Sequence, residues 1–195
     1  MWRRVLAVVL VIIVVFGFAY IRNGQEKEPE QNEEGNAMSW MTLELEEIWN
    51  IEDKVNFVVE MGSYTAQKCE YGDNISVLTK PERVIYIVTT LDGEVNNGGF
   101  DQYFWNSSGN QANELVDAFI EIGAPQTAAI CEKALSVFGG HVPEDRDERN
   151  EVFDALDGDL VDEILSECDD AFYDYEENLT DLCYEYILKH RDEFH

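Results

Sequence analysis

From Val161 onward, in the most acidic part of the chain, apolar residues return at steps of three and four: Val161, Ile164, Leu165, Cys168, Phe172 and Tyr175. That period gathers them on one stripe of an α-helix and leaves Asp159, Asp162, Glu163, Asp170, Asp174 and Glu177 away from it. Val152, Phe153 and Leu156 mark a helix before it. Leu179, Leu182, Cys183, Tyr186 and Ile187 mark one after it. The acids therefore decorate packed helices, a pattern that an acidic disordered tail lacks.

Between Glu144 and His195 the chain carries twenty Asp and Glu against four bases, Arg146, Arg149, Lys189 and Arg191, within a net charge of −28. A surface of nearly one sign repels nucleic acid and attracts basic proteins. Carboxylates at i+3 or i+4 lie about 5–6 Å apart along a helix ridge. DNA phosphates on one strand advance about 3.4 Å along the axis and are further apart in space. A ridge through Asp159, Asp162, Glu163, Asp170, Asp174 and Glu177 thus offers charges at a spacing that a DNA-binding groove accepts. Asp145, Asp147, Glu148, Glu151 and Asp154 supply a second row. Plainer explanations are a solvated face, adaptation to high salt, and cation binding. Against the last, Asp154 to Asp159 does not fit a calcium loop, because Gly158 would put Phe153 at the first ligand position.

The other end of the chain is its opposite. Val5 to Ile21 is an unbroken apolar run, flanked by Arg3, Arg4 and Arg22. Its length as a helix, roughly 25 Å, predicts a single membrane-crossing anchor over 1–22. Interfacial Trp2 and Tyr20 extend the span, and no A-x-A site marks a cleaved signal. The basic bias puts the N-terminus inside and the domain outside. Residues 23–38, rich in Glu with Pro29 and Gly35, read as a flexible acidic linker. Residues 39–195 are long enough for one domain with its own core. The whole chain has 45% apolar residues and only four prolines, and the domain is expected to be all-α, a compact domain of about seven to eight helices.

Along that domain, Met41, Leu45, Ile48 and Trp49 predict a helix capped by Ser39, and Val55, Val58 and Val59 a short one ending near Gly62. Residues 63–79 read as irregular. Thr79 and Pro81 open a helix through Val84, Val88, Leu91 and Val95. The β-branched run from Val84 to Thr90 has strand propensity, but the period favours a helix. It stops at Asn96-Asn97-Gly98-Gly99. Asn110 caps a helix that ends at Gly123, and Pro125 opens one that ends at Gly139 and Gly140.

The run Leu91-Asp92-Gly93-Glu94-Val95-Asn96-Asn97-Gly98-Gly99-Phe100-Asp101-Gln102-Tyr103-Phe104-Trp105-Asn106 carries a resemblance. With its sequel from Glu114 to Leu135, it resembles the helical family of bacterial DNA-mimic protein 19, well over Pro81 to Gly139 and loosely beyond. The resemblance implies an α-helical fold. One member of that family is a highly acidic protein that occupies the DNA-binding surface of a transcription factor. A membrane anchor is not part of that pattern. Read from the residues, Asn96 to Gly99 is a helix stop, and Phe100, Tyr103, Phe104 and Trp105 are core. Asn97, Gln102 and Asn106 lining a small polar site is the alternative.

The cysteines Cys69, Cys131, Cys168 and Cys183 form no C-x-x-C pair and the three histidines are dispersed, so no metal site and no cofactor is expected. Cys168 and Cys183 lie on neighbouring helices and are candidates to pair in an oxidising compartment. Neither G-x-S-x-G nor H-E-x-x-H nor a phosphate-binding glycine loop occurs, so no enzyme is expected. The expected function is an acidic module that binds a basic protein, including a DNA-binding protein as the mimicry reading requires. A second copy of the chain is a further candidate partner. A surface-anchored envelope domain of structural role, with no charge-dependent partner, is the alternative.

Overall fold

The computed structural model describes residues 43–139, 141–174 and 176–195. The expected anchor over 1–22, the linker over 23–38, the cap at Ser39 and the stripe position Tyr175 lie outside them. Among the described residues there are eight α-helices and five short 3-10 turns, and no strand. None of these helices is long and apolar enough to cross a membrane.

Helix α1 is a single turn, Leu45–Ile48, preceded by Glu44, whose N–H donates to Glu47 Oε2 at 3.0 Å. Helix α2, Lys54–Lys68, is capped by Asp53 and runs straight through Gly62. The expectation of a stop at Gly62 fails for a reason that lies in a distant part of the chain. A Cβ at Gly62 would sit 2.8 Å from Thr89 Oγ1, so this glycine permits α2 to cross closely over the next helix. Mid-helix glycine costs about 1 kcal/mol, and packing outweighs it. The first six residues of the stretch 63–79 accordingly belong to α2, and the remainder turns, through 3-10 segments Glu70–Gly72 and Ile75–Val77.

Helix α3, Lys80–Trp105, opens as the sequence predicts. Thr79 accepts from the Glu82 N–H, Glu82 accepts from the Thr79 N–H at 2.9 Å, and Pro81 sits in the first turn. Val84, Ile85, Tyr86, Ile87 and Val88 are all buried. A helix apolar all round needs neighbours on every side. It has them, since α2, α4, α6, α7 and α8 all pack on α3.

A 3-10 segment, Ser107–Glu114, leads to α4, Leu115–Ile122. Asn110 lies inside that segment and caps nothing; its Oδ1 accepts from Arg149 instead. Gly123 ends α4 at φ 87°, and Pro125 opens α5, Pro125–Leu135, which tightens to 3-10 up to Phe138 and ends at Gly139.

The acidic region then forms α6 (Arg146–Asp154), α7 (Gly158–Tyr173) and α8 (Leu179–Lys189). Val161, Leu165, Cys168 and Phe172 bury the stripe of α7, and Leu179, Cys183, Tyr186 and Ile187 that of α8. Helix α6 departs from expectation: Val152 is exposed, Leu156 lies beyond its end, and its one buried residue is Arg149. All four cysteines are free and buried, so Cys168 and Cys183 do not pair. Burial raises both thiols, Cys168 to about 11 and Cys183 to about 12.

Candidate protein-binding interface

The Asn-Gly-Gly-Phe motif does not end α3 but breaks it into two limbs. Gly98 (φ −164°, ψ 21°) and Gly99 (φ 79°, ψ 179°) leave helical geometry, and the short limb restarts at Phe100. A restarting helix exposes free N–H groups. Asp169, on α7, meets one of them: its Oδ1 accepts from the Phe100 N–H at 2.8 Å. A Cβ at Gly99 would lie 2.4 Å from the other Asp169 oxygen, so glycine is required by both φ and space. Burial raises the Asp169 pKa and the Phe100 hydrogen bond opposes the rise.

The kink folds the motif's polar side chains back on the long limb. Glu94, only 3% exposed, accepts from Gln102 Nε2 at 2.6 Å, Asn106 Nδ2 at 3.0 Å and Ser108 Oγ at 2.7 Å. Asn97 donates to Gln102 Oε1 at 3.0 Å, and Asn96 donates to the Asp92 carbonyl at 2.8 Å. The polar cluster foreseen around Asn97, Gln102 and Asn106 thus exists, but it wraps an internal carboxylate that the sequence reading did not single out. Of the motif aromatics, Phe100, Tyr103 and Phe104 are core, with Phe100 edge-on to Phe172 at 6.0 Å. Trp105, 43% exposed, is not.

Helix α6 is fastened to the end of α3 by its arginines. Arg149 is fully buried and makes five hydrogen bonds, to the carbonyls of Phe104 (2.7 Å), Pro143 (2.9 Å), Glu144 (3.1 Å) and Asn106 (2.6 Å) and to Asn110 Oδ1 (3.0 Å). Arg146 Nε donates to the Trp105 carbonyl at 3.1 Å. Free carbonyls at a helix C-terminus carry negative dipole, so cations suit them. Burial lowers the Arg149 pKa. Of the four bases in the acidic region, Arg149 is therefore withdrawn from the surface and Arg146 is occupied. Arg191 lies over the Trp49 ring at 4.5 Å.

The expected interface acids divide in two. Asp147, Glu148, Glu151 and Asp154 on α6, Asp159, Asp162, Glu163 and Asp170 on α7, and Asp174 just after it are exposed. Asp145 is exposed too, but its Oδ1 caps α6 by accepting from the Glu148 N–H at 3.0 Å. Glu177 is engaged inside the domain. It caps α5, whose own cap position is Ala124, accepting from the N–H groups of Gln126 (3.0 Å) and Thr127 (2.8 Å) and from Thr127 Oγ1 (2.7 Å). Burial alone would raise the Glu177 pKa; those hydrogen bonds hold it below the ordinary glutamate range.

Asp154 and Asp162 come together with Asp101 on a groove of about 530 Å³ between α6, α7 and the short limb of α3. Burial and then the neighbouring Asp162 raise the Asp101 pKa. Asp101 and Trp105, four apart on one helix face, were legible as a pair only once the kink was known. Among the described residues, no group of three or more His, Cys, Asp or Glu is placed to hold a metal ion.

Comparison with curated proteins and with solved structures returns no match. A sequence profile described as DMP19-like protein matches residues 76–190. That match reaches well past the Gly139 limit of the resemblance and takes in α6, α7 and α8. The acidic helices are thus part of the shared domain, and the chain belongs to the DMP19-like protein family.

Proposed function

We propose that the α6–α7 face engages a basic protein surface, in the manner of a DNA mimic. The observation that carries this reading is the sign of the exposed charge. The nine exposed acids named above, eight on α6 and α7 and Asp174 just past α7, form two rows, while Arg149 of α6 is buried and Arg146 is held on a backbone carbonyl. Fixed like charges destabilise the helices that carry them, a cost that a basic partner relieves. Family membership supports the same reading.

The test is salt-dependent capture of basic proteins by the full-length chain, with duplex DNA as competitor. Neutralising the α7 row (Asp159→Asn, Asp162→Asn, Glu163→Gln, Asp170→Asn) is expected to abolish capture while leaving the circular-dichroism melt intact. Unchanged capture by that variant would remove the α7 face from the interface. No capture at low salt would favour the structural envelope reading. The anchor proposed for 1–22 decides which partners are in reach. A reporter fused after His195 that is active in the cytoplasm would admit an intracellular DNA-binding protein. One active outside would restrict the partner to extracytoplasmic basic proteins.

A further inference from the structure

We infer that the groove between the short limb of α3, the end of α6 and the start of α7 seats an arginine side chain of the basic partner. The inference rests on the protein-binding reading and names what one point of that face receives.

The walls of the groove are largely apolar, formed by Trp105, Phe153, Leu156 and Val161. Asp101, Asp154 and Asp162 line it as well. Among the described residues none of these three has a salt-bridge partner. Trp105 follows two buried aromatics yet leaves 43% of itself in solvent. An indole beside unpaired carboxylates fits a cation with an apolar stem and a flat, weakly hydrated head. Arginine has that shape: its methylenes cover apolar wall, its guanidinium stacks on the indole, and its fork of donors matches carboxylates. Lysine offers a compact, strongly hydrated charge that suits the ring less well. A bare calcium ion would need six or more oxygens converging on one point, and among the described residues no three carboxylates are placed to hold a metal ion. Nucleic acid and anionic lipid carry the wrong charge.

The family motif shapes the seat. Gly98 lines the groove, and a Cβ there would meet Gln102 Oε1 at 2.4 Å. The absent side chain at Gly98 therefore leaves room for Gln102, which also lines the groove, and the kink sets Asp101 and Trp105 beside Val161 and Asp162 of α7.

The experiment uses the full-length chain, kept in mild detergent because of its apolar 5–21 run, and a short arginine-rich peptide with its lysine and citrulline counterparts. The Trp105 indole N–H resonance and the dissociation constant are followed at low salt. The arginine peptide is expected to shift the indole resonance and to bind about tenfold more tightly than the lysine peptide, a preference in keeping with stacking plus forked hydrogen bonding. The citrulline peptide should do neither. Trp105→Ala, and separately the isosteric pair Asp154→Asn with Asp162→Asn, should remove the arginine preference. The control pair Asp117→Asn with Glu132→Gln, exposed and away from the groove, should keep it. Equal binding of both basic peptides, unaffected by Trp105→Ala, would overturn the arginine seat and leave the broader acidic-face reading standing. No binding of either peptide would overturn both.

Discussion

Asp169 and Phe100 lie 69 positions apart, and a single hydrogen bond of 2.8 Å from the Phe100 N–H to the Asp169 carboxylate joins them. Through it, the acidic helix α7 holds the restart of the helix that Gly98 and Gly99 interrupt. The motif and the acidic region are consequently one structural unit, which accords with a family match that spans both.

Replacing Gly99 tests that unit. Alanine at φ 79°, ψ 179° is strained, and its Cβ would press on Asp169. Gly99→Ala is expected to cost at least about 2 kcal/mol in urea unfolding. Asp169→Ala, which removes only the acceptor, should cost about 1 kcal/mol, and Asp169→Asn less, because an amide oxygen still accepts. Equal stability of Gly99→Ala and the parent would mean that the kink is not under this constraint.

Arg149 supplies a second test. Its five hydrogen bonds all go to neutral oxygens, three at the end of α3 and in the segment after it and two in the loop before α6. Lysine has neither the reach nor the fork to satisfy them. Arg149→Lys is therefore expected to lose on the order of 3 kcal/mol, as buried carbonyls go unpaired. Hydrogen exchange should locate the loosening at α6 and at 107–114. A variant with unchanged melting and exchange would remove Arg149 from its role as the clamp.

Local signals in the chain were readable; those that depend on a distant partner were not. Thr79 and Pro81 mark a helix start within three residues, and Gly123 with Pro125 a helix break within three; both are as expected. The stripes of α7 and α8 were equally plain, since periodicity is local. Gly62 misled because its reason is Thr89, on another helix. Glu177 looked like one more surface acid because the N–H groups it caps are some fifty positions away. Arg149 could only be counted as one of four bases, because three of its acceptors, Phe104, Asn106 and Asn110, belong to a distant part of the chain. The exposed acids of α6 and α7 could be named one by one, but the meeting of Asp154 and Asp162 with Asp101 and Trp105 required the kink.

Glu177 gives a prediction that separates structure from binding among the acids. Glu177→Gln should weaken the cap on α5 by about 0.5–1 kcal/mol, a figure lowered by solvent, and leave capture of basic proteins unchanged. Its folded pKa lies below the unfolded value. Its contribution is therefore present above the ordinary glutamate range and fades as pH falls through the folded value. The difference between parent and variant should shrink in acid. Loss of capture by Glu177→Gln at unchanged stability would return this residue to the interface.

Asp92 carries the opposite sign. Burial raises its pKa from 3.8 to about 6, against a smaller lowering by Asn96. A carboxyl whose folded pKa exceeds its unfolded value takes up a proton on folding between the two, so its favourable contribution is complete below 3.8 and is lost as pH rises through about 6. Above that range the charged form is a burden on α3, next to the buried Cys183 thiol that its charge helps to raise. Asp92→Asn keeps an oxygen for the Asn96 amide, which donates to Oδ1 at 3.1 Å, and removes the charge. The variant should match the parent near pH 4 and exceed it by about 1–3 kcal/mol near pH 8. Denaturant midpoints across that range measure the difference directly. A gain independent of pH would assign the effect to packing, and no gain at all would mean that Asp92 sits in a better solvated position than its place on α3 implies.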